Sequence, residues 1–258
     1  MVERTGLGIA QCICEGAQAG KAMESETEVL IVGAGPTGLA LALWLGHFGV
    51  KVRIVDQAAE PGTTSRALAV HARILEFYDQ VGLAREIVER GLKIGAATLW
   101  VAGQQMGRIV FGDMGQGVSP FPYALIFPQD EHERLLINHL GNLGLQVERP
   151  VTLVGFEERD GRAMARLRRR EGSEETVAAA FIAGCDGTHS TVRDALNVGF
   201  SGGTYSHIFY VADVEASGRA MNHELNVALD EAEFLAIFPL RGDERARFIG
   251  TVKREAEE

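Results

Sequence analysis

Three glycines and one carboxylate stand at the spacing of a site that holds a dinucleotide. Gly33, Gly35 and Gly38 form a Gly-x-Gly-x-x-Gly pattern, and Asp56 follows it. Glycines at this spacing let the backbone approach a pyrophosphate, and an acidic residue about 20 positions later accepts ribose hydroxyls. Because that carboxylate would repel a 2′-phosphate, the pattern favours FAD or NAD over NADP. Four neighbours in the same two segments are also expected to bind the cofactor: Ala34, Pro36, Thr37 and Gln57.

The elements that must position these residues are a strand, a helix and a second strand. Residues 28–32 are apolar and rich in β-branched side chains, which predicts a buried parallel strand. A helix is expected from Pro36, whose missing N–H costs nothing there, to Gly49, and residues 50–56 form the second strand. Such a unit aims a helix N-terminus at an anion. A packing turn in an unrelated α/β protein is the alternative, and a membrane span is disfavoured because two glycines and a proline interrupt the apolar run.

A second carboxylate follows another apolar strand, which we expect at residues 176–183. Asp186 comes next, then Gly187 and a helix capped by Ser190 with Arg193 in its first turns. The carboxyl ends of parallel strands are where α/β sheets place ligand contacts. An Asp-Gly turn with a helix cap explains the same residues without a ligand, so both interpretations stay open.

Two further helices carry candidate polar contacts. The pattern from Ser65 to Gly82 predicts an amphipathic helix with Arg66 in its first turn, where a cation opposes the helix dipole. That unfavourable placement indicates a role in binding an anion, and a solvent-facing arginine is the alternative. A helix from Gln129 to Leu143 has acidic residues in its first turn. Three histidines on these helices lack metal-site spacing and are expected on the surface or in packing: His71, His132 and His139.

Composition excludes some classes of function. The chain has 258 residues, is 46% hydrophobic and carries a net charge of −10, so a nucleic acid partner, which needs a basic face, is disfavoured. Three cysteines without a paired framework predict the reducing cytoplasm. Cys12 and Cys14 lack a second pair to complete a metal site, so we expect no metal. Residues 1–22 do not have the pattern of a signal peptide.

Three motifs together resemble a known family. They are the glycine pattern with Asp56, the segment SRALAVHARILEFYDQVG with a later helix that opens at Gln129 in PQDEHERLL, and GCDGTHSTVR. The chain is similar to the class A flavoprotein monooxygenases, the group of para-hydroxybenzoate hydroxylase, and within it to phenol, hydroxyphenylpropionate and polyketide hydroxylases. The likeness covers roughly Glu28 to Val252, and the third motif is the most specific.

The resemblance implies an FAD enzyme that uses NAD(P)H and O₂ to hydroxylate a small aromatic substrate. By position, Arg66 would lie near the pyrophosphate and the nicotinamide donor, and Gln129 would contact the flavin side. Asp186 would serve both FAD and NAD(P)H, and Arg193 would support its segment. The flavin carries the difficult chemistry, so no catalytic side chain is assigned.

The fold that this resemblance implies is α/β, with a doubly wound, Rossmann-like FAD-binding domain and a β-sheet-rich substrate portion. We expect a disordered extension over residues 1–27, the FAD-binding domain over residues 28–200 with inserted strands around 95–127, and a partial, truncated substrate-binding domain over residues 201–258. Four strands that read as antiparallel are expected in the last part: Ile208–Glu215, Glu224–Leu229, Phe234–Phe238 and Arg245–Val252.

One departure from the family pattern concerns the second FAD motif, a Gly-Asp segment followed by Ala/Ser-His and a proline. Gly242-Asp243 is a poor candidate, because Glu244 and Arg245 follow it. The resemblance therefore implies a C-terminally truncated enzyme, with a homodimer or a partner chain supplying the missing half. A catalytically silent FAD- or dinucleotide-binding module or partner subunit is the alternative, and a double-bond reductase of the same fold is a third interpretation.

Overall fold

The computed structural model describes residues 25–62, 67–203, 207–230, 233–242 and 244–252. The strands are β1 (Ser25–Val32), β2 (Val52–Val55), β3 (Ala69–Val70), β4 (Leu92–Ile94), β5 (Ala96–Val101), β6 (Gln104–Val110), β7 (Ala124–Ile126), β8 (Val147–Glu148), β9 (Val151–Arg159), β10 (Arg162–Arg169), β11 (Glu174–Gly184), β12 (Ile208–Glu215), β13 (Leu225–Asp230), β14 (Glu233–Pro239) and β15 (Arg245–Val252). The helices are α1 (Pro36–His47), α2 (Ala72–Gln80), α3 (Ala84–Arg90), α4 (Phe111–Gly115), α5 (Gln129–Asn142) and α6 (Thr191–Ala195), with a 3-10 turn at Gly187–His189.

The chain divides into two compact units, and each is assembled from two segments of sequence. The first unit contains Met1–Pro61 and Leu136–Phe200, and the second contains Gly62–Leu135 and Ser201–Glu258. The predicted FAD-binding domain, residues 28–200, therefore draws on both units. β1 begins at Ser25, three residues before the predicted start, and residues 1–24, which include Cys12 and Cys14, lie outside the described residues.

The first unit is built on a six-stranded sheet in the order β8-β2-β1-β11-β10-β9. Its strands from β8 to β11 are parallel, and β10 and β9 are antiparallel to their neighbours. The predicted crossover is confirmed, because α1 connects the parallel neighbours β1 and β2. The core of this unit includes Leu30 and Val32, which lie in the strand predicted to be buried. Apolar side chains from other segments complete it, among them Val55, Leu153, Leu167, Val177 and Val192.

The second unit holds two sheets. The larger has the order β12-β15-β14-β13-β5-β6, in which β13 and β5 are parallel and every other pair is antiparallel. The predicted strands around residues 95–127 therefore include two, β5 and β6, that share a sheet with the four predicted C-terminal strands. The smaller sheet has the order β3-β7-β4. A cluster of apolar side chains is buried here, and its members include Leu68, Ile94, Ile126 and Leu240.

The helix predicted from Ser65 to Gly82 is confirmed from Ala72 to Gln80 and is wrong over residues 67–71. Ala69 and Val70 form strand β3, which pairs with Ile126 and Leu125 of β7, and α2 begins only at Ala72. At residues 69 and 70 the tertiary pairing of strands overrides the helical periodicity of the segment. Arg66, for which the sequence predicted a place in the first turn of this helix, lies outside the described residues.

No helix in the described part of the chain is both long and apolar enough to cross a membrane. The longest of them, α5, has 14 residues.

Candidate functional site

The glycine turn between β1 and α1 contains three glycines with different surroundings. A Cβ atom built on Gly33 would lie 2.3 Å from the carbonyl oxygen of Cys185, and its φ of +101° also favours glycine. A Cβ atom on Gly38 would lie 1.9 Å from the carbonyl oxygen of Gly33. The corresponding atom on Gly35 would meet nothing within 4 Å. Packing therefore requires the first and third glycines, whereas the open space at the second is suited to the close approach of a ligand.

The N-terminus of α1 leaves donors available beside this open space. The helix starts with Pro36, has no side-chain cap and carries no acidic residue in its first turn. Its first N–H groups therefore lack intrahelical partners, and the positive end of the helix dipole is not neutralised locally. Thr37, in the first turn, is exposed. This end of α1 has the properties of an anion-binding helix terminus.

Asp56 faces the glycine turn. Its Oδ2 accepts a hydrogen bond of 2.6 Å from the backbone N–H of Ala34, and its Oδ1 accepts one of 2.7 Å from the N–H of Ala58. The turn is also tied to the end of β2, since Gly33 donates its N–H to Val55 O at 2.8 Å. Gln57 follows and is exposed. The structure thus brings the predicted carboxylate and the predicted turn together.

Arg149 joins this group, and sequence reasoning missed it. Its Nη1 lies 3.1 Å from Asp56 Oδ1, and its Nη2 donates to the carbonyl oxygen of Ala34 at 3.1 Å. The side chain is only 11% exposed. Nothing in the local sequence connects residue 149 to residue 56. The connection arises because β8 pairs with β2 in a register that puts Glu148 beside Val55.

Asp186 lies next to the glycine turn because β1 and β11 are parallel and end together. The register places Gly184 beside Val32, and Cys185 donates its N–H to Val32 O at 2.7 Å. A Cβ atom on Gly33 would lie only 2.7 Å from the backbone nitrogen of Asp186. The structure therefore brings the backbone at Asp186 to the same edge of the sheet as the turn.

The carboxylate of Asp186 also holds the start of α6. Its Oδ1 accepts from Ser190 Oγ at 2.6 Å and its Oδ2 accepts from the N–H of Thr191 at 2.6 Å. Ser190 caps the helix as predicted, since its Oγ accepts from the N–H of Arg193. The geometry is compatible with both interpretations of this motif, a ligand contact and a helix cap. The carboxylate makes the cap contacts, and the backbone of Asp186 still lies beside Gly33 at the edge of the sheet.

Arg193 supports the loop between Asp186 and α6. Its Nη2 donates to the carbonyl oxygen of Thr188 at 2.8 Å, and its guanidinium carbon lies 4.5 Å from the centre of the Phe200 ring. The side chain is 20% exposed. These contacts fit the supporting role that the resemblance implies for this residue.

Gln129 belongs to the second unit and begins α5, as predicted. Its N–H donates to Ala67 O at 3.0 Å, and its Nε2 donates to Glu133 Oε1 at 2.9 Å. Glu133 is buried, so the amide of Gln129 compensates part of the cost of burying a carboxylate. Gln129 does not belong to the unit that carries the glycine turn.

A comparison with protein families identifies the family. The profile described as "FAD binding domain" matches residues 26–258. The chain belongs to the FAD-binding domain family. The resemblance drawn from three motifs is thereby confirmed, and the open Gly35, the uncapped α1 and the neighbouring Asp56 fit the cofactor that gives this family its name.

Curated proteins that are similar in sequence to this chain include monooxygenases. The 6-methylpretetramide 4-monooxygenase of Streptomyces rimosus is 38% identical over 224 residues, which cover 85% of this chain and 39% of that protein. Pentachlorophenol 4-monooxygenase of Sphingobium chlorophenolicum is 29% identical over 192 residues, covering 74% of this chain and 35% of that protein. This chain therefore spans well under two thirds of the length of these relatives.

Solved structures share the fold of this FAD-binding domain. The p-nitrophenol 4-monooxygenase PnpA of Pseudomonas putida superposes with a TM-score of 0.83 at 22% identity, covering 92% of this chain and 60% of that one. A ternary complex of aklavinone-11 hydroxylase with FAD and aklavinone superposes with a TM-score of 0.75 at 22% identity, covering 90% of this chain and 47% of that one. The predicted α/β class with a Rossmann-like domain is confirmed.

Proposed function

We propose that this chain is the FAD-binding part of an NAD(P)H- and O₂-dependent hydroxylase that acts on a phenolic or polyketide ring. The observation that carries the proposal is the open space beside Gly35, where packing makes no demand for a glycine. An uncapped helix terminus and a carboxylate adjoin the same turn. The names of the curated relatives, which are monooxygenases of aromatic and polyketide compounds, support the reaction class.

Each residue of the site has a proposed role toward the cofactor. Backbone N–H groups at Gly35 and Thr37, in the segment that also contains Ala34, Pro36 and Gly38, would bind the pyrophosphate at the start of α1. Asp56 would accept a ribose hydroxyl, with Gln57 beside it. Asp186 and Arg193 would orient the cofactor from the end of β11. Arg66 and Gln129 stay proposed contacts of the pyrophosphate and the flavin.

FAD would supply the chemistry that side chains cannot, namely accepting a hydride from NAD(P)H and activating O₂ for transfer to an electron-rich ring. The residues of this chain would bind and orient it. We further propose a cytoplasmic protein, because its three cysteines show no paired framework. The remaining portion found in the relatives would come from further sequence, from a partner chain or through a homodimer.

The test of the proposed site compares two glycine variants. Gly35→Ser introduces a residue that caps helices well, and its side chain enters space where no protein atom lies. The folded state should therefore keep its stability, whereas the affinity for FAD should fall at least roughly tenfold. Gly38→Ala is the matched control for misfolding, because its new Cβ atom would clash with the backbone of Gly33. Thermal unfolding and calorimetric titration with FAD measure the two effects. Unchanged FAD affinity in Gly35→Ser would refute the assigned site.

The reaction class is tested with purified protein. A yellow protein that oxidises NAD(P)H and consumes O₂ in step with formation of a hydroxylated phenol supports the hydroxylase. A protein that binds FAD but never oxidises NAD(P)H with any phenolic or polyketide substrate would indicate the silent module. NAD(P)H oxidation coupled to reduction of a double bond, without O₂ uptake, would indicate the reductase.

A further inference from the structure

We propose that Arg149 is a positioning residue for the dinucleotide, because it holds the Asp56 carboxylate against the glycine turn in the orientation that receives the adenosine ribose. The inference rests on the proposed function, since it concerns the same site. It adds a residue that lies far from every motif in the sequence and that reaches the ligand only through Asp56.

A single guanidinium connects three segments of the chain. Its Nη1 contacts Asp56 Oδ1 at 3.1 Å, and the same nitrogen lies 3.4 Å from the carbonyl oxygens of Ala58 and Glu60. Its Nη2 donates to the carbonyl oxygen of Ala34, within the turn itself, at 3.1 Å. Arg149 therefore fixes the turn, the segment after β2 and the start of β9 relative to one another.

The carboxylate of Asp56 is held on both of its oxygens. A carboxylate offers about four lone-pair directions. The N–H of Ala34 donates to Oδ2 and the N–H of Ala58 donates to Oδ1, and the Arg149 guanidinium forms an ion pair with Oδ1 at 3.1 Å. Among the described residues Oδ2 accepts from Ala34 alone, which leaves it a lone-pair direction for a hydroxyl of the ligand. Without the arginine the carboxylate would lose its only charged partner among the described residues and the contact that fixes its plane.

Burial makes this ion pair matter more than a surface pair. The side chains of Arg149 and Asp56 are 11% and 16% exposed. Water therefore screens their attraction little, and removing one partner leaves the other as a poorly solvated charge. A lysine would not replace the arginine, because one ammonium group cannot reproduce the planar fork that contacts both Asp56 and the Ala34 carbonyl.

The experiment is a double-mutant cycle on the full chain, with FAD and ADP as the two probes and calorimetry as the readout. Arg149→Met and Asp56→Asn are each expected to weaken both ligands at least roughly 30-fold. Because the arginine acts through the carboxylate, the double variant should bind within about threefold of the weaker single variant. Arg149→Lys should lose most of the affinity as well, and it carries the test if Arg149→Met does not fold.

Arg53→Met is the matched control for a general loss of stability. Arg53 is a similarly buried, ion-paired arginine of the same sheet, and its partners are Glu148 and Glu175 rather than Asp56. This variant should unfold more easily and keep the FAD and ADP affinities within about twofold. Wild-type affinity in Arg149→Met and Arg149→Lys, or losses that add fully in the double variant, would overturn the inference. If the wild-type chain binds neither FAD nor ADP, the proposed function fails first and takes the inference with it.

Discussion

Burial keeps the imidazole of His132 neutral. The ring lies against Tyr78 and Phe127, and its Nε2 is 2.8 Å from the Tyr78 hydroxyl oxygen. Desolvation lowers the pKa of His132 to about 4 and raises the pKa of Tyr78. These contacts agree with a packing role for His132, which is one of the two roles expected from the sequence.

At the scale of the residue, His132 predicts a dependence of stability on pH. Its pKa is near 6.5 in the unfolded chain and about 4 in the folded one, so the unfolded state binds the proton first. The free energy of unfolding should therefore fall as pH drops from about 6.5 to 4, by at most about 3 kcal/mol. Urea titrations across that range measure it, and His132→Gln should remove this component. Tyr78→Phe should lower stability but keep the pH slope, because burial rather than the hydrogen bond is the cause.

At the scale of the element, α6 is a five-residue helix that depends on its N-terminal partners. Asp186 Oδ2 accepts from the N–H groups of Thr191 and Val192, and Ser190 Oγ accepts from that of Arg193. A helix this short cannot persist on its own hydrogen bonds. Its position after β11 is therefore set by these caps and by the apolar contact of Val192 with the core.

Two substitutions separate the cap from a contact with the cofactor. Ser190→Ala is expected to cost about 1 kcal/mol of unfolding free energy and to keep FAD affinity within about twofold. Asp186→Ala should cost at least as much stability and, if the proposed cofactor contact is right, weaken FAD binding by about tenfold or more. Chemical denaturation and FAD titration measure both quantities. Equal FAD affinity in the two variants would leave Asp186 with the capping role alone.

At the scale of the whole molecule, the chain passes between the two units three times, so each core combines residues far apart in sequence. In the first unit Arg53 joins both segments. It contacts Glu148 at 2.5 Å, Glu175 at 2.5 Å and Ser25 Oγ at 3.0 Å. The contact with Arg53 lowers the pKa of Glu175, and the two glutamates in turn raise the pKa of Arg53.

Loss of this network is expected to weaken the first unit. Arg53→Met should lower the free energy of unfolding by about 2 kcal/mol, a value between those of surface and buried ion pairs. Arg53 holds the pKa of Glu175 in the folded state below its ordinary value of 4.5. The stability that this ion pair contributes is therefore fully present above pH 4.5 and is lost as the pH falls through the folded pKa. The free energies of unfolding of the variant and the wild type should therefore differ most near neutral pH and least in acid. Urea titrations at pH 7 and pH 3 test this, and an equal difference at both would contradict it.

The sequence by itself determined the local parts of this protein. Apolar runs and glycine positions predicted β1, α1 and β2, the long helix from Gln129 and the strands of the C-terminal part, because periodicity and turn chemistry act between near neighbours. The same residues were enough to recognise the family and its cofactor. The structure adds what surrounds each glycine: a Cβ atom on Gly33 would clash with the carbonyl oxygen of Cys185, whereas one on Gly35 would meet no atom within 4 Å.

Tertiary structure decided everything that depends on strand pairing. The parallel register of β1 with β11 brings Asp186 to Gly33, and the pairing of β8 with β2 brings Arg149 to Asp56. Pairing of β3 with β7 likewise put a strand at Ala69 and Val70, where a helix was predicted. Such contacts depend on which distant segments bury their surfaces together, and a single sequence records the buried faces without recording their partners.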